Sequence, residues 1–246
     1  MWRCALWLAG ILVPLLCRLR VTTSMPYHLT RGPLILAGNH IGTFDPIATA
    51  AACRQMRIAP RMMATGGLFR APVVGPLMRM AGHIPVDRGR DTVTNAVPDA
   101  IGALASSSIV FIYPEGRIGL DPGMWPERAK TGLARLALST GAPVVPVAIW
   151  GSHEVVAYHG WRVMIRMTIS SLWRRPTVRV HFGAPVDLAG LRLGEVGHAQ
   201  RASDRIMDAI AAELAPLRKD EPGVPRFRDH TRPVALTRSR RPPTPA

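Results

Sequence analysis

The sequence predicts one α/β domain with a mixed, mostly parallel central sheet flanked by helices, preceded by a short N-terminal membrane-associating helix. Apolar runs of strand length, at residues 33–37, 109–113 and 144–150, alternate with segments of helical spacing at 46–56, 92–106 and 131–139. Each run ends in a polar or Gly-rich loop, which collects the chemically interesting side chains along one edge of a sheet. With 48% hydrophobic residues among 246, the chain can fill a substantial core, and disorder throughout is excluded.

Residues 4–17 carry no charge and are flanked by Arg3, Arg18 and Arg20. At about 1.5 Å per residue such a helix is roughly 21 Å long, short of the ~30 Å hydrocarbon core, and it reads as a segment that dips into a membrane or lies on it. A signal peptide has the same basic start and apolar centre. No small-x-small site follows, however, and two arginines stand where cleavage is expected. The basic flank puts the rest of the chain on the cytoplasmic side, here the cytoplasmic face of the plasma membrane. The expected organisation is a membrane-associating segment over 1–28, a domain over 29–217, and a basic Pro- and Arg-rich tail over 218–246 with too few core residues to fold.

The stretch around which the chain is arranged is Asn39-His40-Ile41-Gly42-Thr43-Phe44-Asp45-Pro46. A strand ending at Gly38-Asn39 and a helix opening at Asp45-Pro46 place an imidazole and a carboxylate in one loop. If they meet, Asp45 holds the Nδ1 proton and frees Nε2 as a general base. The same residues also fit an Asp N-cap before a helical Pro and a surface histidine. Two ligands without a third make a poor zinc site, so no metal is expected.

Further on, 61–64 suggests a short strand, and 66–80 is an apolar segment punctuated by Gly and Pro. The run 83–89 is a short strand delivering Asp87 and Arg88. Residues 92–106 are helical despite Pro98. The strand at 109–113 ends in Pro114-Glu115-Gly116-Arg117, and Lys130 follows a loop. Helix 131–139 is closed by Gly141 before the strand at 144–150. Residues 161–175 mix Trp, Met, Ile and Arg, a composition that suits a lipid interface and equally an amphipathic core element. A strand at 177–182 and an amphipathic helix at 199–217 complete the domain.

A net charge of +15 favours anionic partners: lipid head groups, phosphorylated substrates or nucleic acid. Only 6% aromatic residues, and basic residues in no groove-tracking pattern, argue against nucleic acid. Cys4, Cys17 and Cys53 form no CxxC pair, and no P-loop or dinucleotide fingerprint is present, so no bound cofactor is expected.

Together, four motifs resemble the glycerolipid acyltransferases, the 1-acylglycerol-3-phosphate acyltransferase-like family, over about residues 30–185. They are His40-x4-Asp45, the strand ending Ile84-Pro85-Val86-Asp87-Arg88, Pro114-Glu115-Gly116, and Val145-Pro146-Val147. The resemblance implies an O-acyltransferase that moves a fatty acyl group from a thioester, acyl-CoA or acyl carrier protein, to a lysophospholipid hydroxyl. It implies 1-acylglycerol 3-phosphate as acceptor and phosphatidic acid as product, with glycerol 3-phosphate, another lysophospholipid or a glycolipid as alternatives. His40 and Asp45 are then catalytic, and Arg88, Glu115, Gly116, Arg117 and Lys130 bind substrate. Here Arg117 directly follows Gly116, whereas the family usually has an intervening threonine. A basic binding module without catalysis is the reading from another class.

The chemistry is consistent on its own terms. A lipid hydroxyl needs a positioned base to attack a carbonyl at neutral pH, and a thiolate leaves readily. The chain has no GxSxG elbow, so transfer is expected to be direct. Cations that do not titrate, a forked guanidinium and an ammonium, suit an acceptor phosphate.

Overall fold

A computed structural model of the chain describes residues 2–86, 93–156 and 161–219. Its strands are β1 (Arg18–Thr23), β2 (Leu34–Gly38), β3 (Arg61–Thr65), β4 (Ile84–Val86), β5 (Ile109–Ile112), β6 (Val144–Trp150) and β7 (Thr177–Phe182). They form one sheet in the order β1-β7-β6-β2-β5-β3-β4, parallel except where β6 meets β7. The helices are α1 (Trp2–Leu16), α2 (Asp45–Gln55), α3 (Gly66–Arg70), α4 (Val74–Met80), α5 (Val93–Ala105), α6 (Gly132–Thr140), α7 (Trp161–Arg174) and α8 (His198–Leu217).

The central strands β2 and β6 are buried along their whole length, which is why they read as continuous apolar runs and not as alternating ones. Their period of two divides the core. Leu34 and Leu36 join Phe111, Val145 and Val147 under α1 and α2, while Ile35 and Ala37 join Val110 and Val144 under α5, α6 and α8. Each such Val, Leu or Phe stabilises the fold by about 1.5–3 kcal/mol. Because β2, β5 and β6 run parallel, their C-terminal ends share one edge, and the loops after Gly38, Ile112 and Trp150 converge there, where α/β sheets place ligands.

The segment 66–80 becomes two short helices. Ala71, before Pro72, is driven to extended backbone (ψ 135°) and separates α3 from α4. One strand is not legible in the sequence. Arg18–Thr23, grouped there with the membrane segment, is edge strand β1, paired with β7 from Arg18–Thr177 to Thr23–Phe182. An edge strand needs cover on one side only, so it keeps its arginines and shows no buried run. Among the described residues no helix is long and apolar enough to cross a membrane. Arg88, and the tail beyond Lys219, lie outside the described residues.

Candidate active site

At the end of β2, buried Asn39 clips the loop to β6. Its Nδ2 donates to the Ile149 carbonyl (2.9 Å), and the Ile149 N–H donates to its Oδ1 (2.7 Å). His40 follows. Asp45 is the first residue of α2, yet its carboxylate does not cap that helix. It turns back into the loop, where Oδ2 accepts from His40 Nδ1 (2.8 Å), Ile41 N–H (2.6 Å) and Gly42 N–H (2.8 Å). Its Oδ1 accepts from the Ser152 hydroxyl in the loop after β6. A carboxylate surrounded by these donors leaves the imidazole only the donor role at Nδ1, so the lone pair sits on Nε2.

Tyr113, directly after β5, stacks on His40 with ring centroids 4.2 Å apart and planes 19° apart. Burial, reinforced by the Asp45 carboxylate, holds its phenol well above the ordinary value, so the ring stays neutral against the imidazole. The backbone of His40 is fixed from both sides. Its N–H donates to Glu115 Oε1 (3.0 Å), and its carbonyl accepts from Gly119 N–H (2.8 Å). A Cβ at Gly119 would fall 2.9 Å from Glu115 Oε2, so a larger residue there would push the Glu115 carboxylate from its place. Glu115 thus works from behind the site, aligning the histidine.

Glu115 Oε2 also accepts from Glu127 N–H (3.1 Å). Burial pushes the Glu115 carboxyl up to about 8 from 4.5, with the two N–H donors pulling the other way. A raised folded value means the native state holds this proton more tightly than the unfolded chain. The associated stability is fully present below about 4.5 and lost as pH rises through about 8. The melting temperature of the parent is therefore expected to fall more between pH 5 and pH 9 than that of Glu115→Gln, as thermal unfolding at both pH values would show.

Gly116 takes φ +68°, a left-handed turn that suits glycine, and delivers Arg117. Arg117 is half-committed: its Nη2 donates to Glu127 Oε2 (2.8 Å), and Glu127 Oε1 accepts from Leu120 N–H (2.8 Å). Lys130 is exposed, its N–H donating to the Pro114 carbonyl (3.1 Å). His40, Tyr113, Gly116, Arg117 and Lys130 line one cavity of about 600 Å³. Its remaining wall is mostly apolar, with Met62 and Met63 from β3, Ala100 from α5, Leu133 and Leu136 from α6, and further residues from α1 to α4. His83, a polar group in that wall, accepts from Met62 N–H (3.0 Å), and burial lowers its pKa to about 4, which keeps it neutral.

The structure therefore brings His40, Asp45, Glu115, Gly116, Arg117 and Lys130 to one sheet edge. Sequence reasoning missed Asn39, Tyr113, Glu127 and Ser152. Tyr113 and Ser152 had a signal, since both sit at or just past the ends of strands read from the sequence. Among the described residues no cluster of His, Cys, Asp or Glu is arranged to hold a metal.

Residues 20–150 match the Acyltransferase family. An uncharacterized protein of Mycobacterium tuberculosis is 31% identical over 147 residues, covering 55% of this chain and 38% of that protein. A 1-acyl-sn-glycerol-3-phosphate acyltransferase of Haemophilus influenzae is 26% identical over 131 residues, covering 52% of each chain. The matched stretch thus spans only about a third to a half of these curated relatives. The fold resembles the crystal structure of the 1-acyl-sn-glycerophosphate acyltransferase PlsC of Thermotoga maritima, with TM-score 0.63, 16% identity, and coverage of 90% of this chain and 83% of that one.

Proposed function

Because the chain belongs to the acyltransferase family, we propose that it transfers a fatty acyl group from a thioester to the hydroxyl of 1-acylglycerol 3-phosphate, giving phosphatidic acid. The observation that carries this reading is the His40–Asp45 pair on an apolar cavity of about 600 Å³ that also holds Arg117 and Lys130. A cavity of that size and character suits an acyl chain, and the two cations suit a phosphate. Relatives named as 1-acyl-sn-glycerol-3-phosphate acyltransferases support the choice of acceptor.

In the proposed reaction His40 Nε2 takes the acceptor's hydroxyl proton as the oxygen attacks the thioester carbonyl. The C–S bond then breaks, the thiolate departs, and the imidazolium returns the proton to it. The buried Asp45 carboxylate steadies the transient imidazolium. No acyl group rests on the protein.

Arg88 is assigned the main phosphate contact, and Arg117, already tied to Glu127, a lesser one. A hydrogen bond to a charged group is worth about 1.5–3 kcal/mol, so Arg88→Ala should lower kcat/KM roughly ten- to 150-fold with phosphate-bearing acceptors and less with an uncharged analogue. Arg117→Ala should lose about tenfold or less. The test is an acceptor panel (1-acylglycerol 3-phosphate, glycerol 3-phosphate, other lysophospholipids, a glycolipid) against coenzyme A and acyl carrier protein thioesters, read by lipid mass detection. Preferential formation of phosphatidic acid supports the reading, and no thioester cleavage with any acceptor contradicts it.

The chain is further proposed to work at the cytoplasmic face of a membrane, attached through α1. That helix buries Ala9 and Val13 against the domain and exposes Trp7, Leu8, Ile11, Leu12 and Leu15 on its outer side. Ala9 also lines the cavity, which brings the acyl site next to the attached helix.

A further inference from the structure

The helix α7 is built inside out for a soluble protein. Of its fourteen residues only Ser171 is buried, its hydroxyl donating to the carbonyls of Met167 (2.8 Å) and Val155 (3.2 Å). Trp161, Ile165, Ile169, Leu172 and Trp173 recur at helical spacing, so they form one stripe, and all are exposed, Trp161 by 67% and Trp173 by 76%. The helix turns its most apolar face to solvent.

Two further observations identify what covers it. First, α7 packs beside α1, and Arg175, the residue after it, donates from Nη2 to the Pro14 carbonyl of α1 (2.7 Å). The exposed stripe of α7 therefore accompanies the exposed stripe of α1 on the same side of the sheet. Second, charge is segregated. Residues 155–186 contain no Asp or Glu, and residues 1–86 contain only Asp45, which is buried in the site. Arginines remain on this side, with Arg54 on α2, and Arg162, Arg166 and Arg174 on α7, all exposed. The acids of the opposite layer, Asp99, Asp204, Asp208 and Glu213, lie on α5 and α8.

We propose that α7 is a second membrane-docking element, which together with α1 lays one Trp- and Arg-edged apolar face onto an anionic lipid bilayer. Trp sits at the head-group level, the aliphatic stripe below it, and Arg meets lipid phosphate. A second copy of the chain fits this face poorly, since arginines would meet arginines and neither α1 nor α7 carries an acid to pair them. The inference rests on the reading of α1 as a membrane-associating helix and is independent of the chemistry assigned to His40.

The test is co-sedimentation of the full chain with vesicles of phosphatidylcholine, with and without about 30% phosphatidylglycerol. Two apolar-face variants and one charge variant, Arg162→Gln with Arg166→Gln, are compared with the parent; the apolar-face variants are Trp161→Ser with Ile165→Ser and Trp173→Ser on α7, and Leu8→Ser with Leu12→Ser on α1. The α7 variant is expected to lose at least about tenfold in partitioning while keeping the parent's unfolding midpoint, because the replaced side chains are exposed. Arg162→Gln with Arg166→Gln should lose roughly fivefold per charge on the anionic vesicles and nothing on the neutral ones. Parental binding by the α7 variant, with binding lost by the α1 variant, overturns the α7 assignment and leaves α1 standing. Parental binding by both overturns both. A concentration-dependent dimer without lipid that the α7 substitutions dissociate overturns the proposal in favour of a second copy.

Discussion

Replacing His40 with alanine should lower the acyl-transfer rate by on the order of 10² to 10⁴ while leaving the protein folded. The loss belongs to the chemistry because the ring contributes little else: it stacks on Tyr113 and donates one bond to a carboxylate that keeps three other donors. The backbone position of His40, held by Glu115 and Gly119, does not depend on the side chain. Circular dichroism and the melting temperature should stay close to the parent. KM for both substrates should change little, placing the defect in kcat.

Asp45→Ala should be worse, and for a different reason. It strips the acceptor from His40 Nδ1, two backbone N–H groups and the Ser152 hydroxyl at a position with no solvent exposure. Each buried donor left unpaired costs about 1–3 kcal/mol, so the variant should lose several kcal/mol of stability along with its activity. Asp45→Asn separates the two effects. An amide oxygen in place of Oδ2 still receives His40, Ile41 and Gly42, and the amide NH₂ in place of Oδ1 can donate to the Ser152 oxygen. The fold should survive, and the rate should fall because the imidazolium loses its negative partner. Urea unfolding of both variants beside their kcat tests this. Equal stability of Asp45→Ala and the parent contradicts the assignment of Asp45 as organiser of the loop.

Much of this architecture is legible in the sequence because burial on both faces writes itself as uninterrupted apolar runs. Val144–Trp150 falls where that pattern puts it, Thr177–Phe182 is legible instead from its alternation, with only Val178, Val180 and Phe182 buried, and α2, α5, α6 and α8 begin and end within a residue or two of their helical spacing. The His40 and Asp45 pair is legible for a chemical reason, as two residues five apart between a strand and a helix can close only across the loop they bound. The edge strand β1 is not, since its outer side faces solvent and its arginines suppress any apolar signal. Nor are the roles of Glu127 and Ser152, which depend on a loop fold and on β6 lying beside β2. Pairwise contacts between distant segments leave no period in the sequence. The displaced Arg117 shows the same limit: its ion pair with Glu127 comes from a return of the loop across ten residues.

The central claim is base-assisted, direct transfer at His40. Its most direct test is single-turnover release of thiol from an acyl thioester, with and without 1-acylglycerol 3-phosphate, by the parent and by folded His40→Ala. Thiol release by the parent that requires the acceptor and matches phosphatidic acid one for one, and that is lost in His40→Ala, is the predicted result. Parental release by His40→Ala, or release without acceptor that leaves the acyl group on the parent protein, would contradict the account.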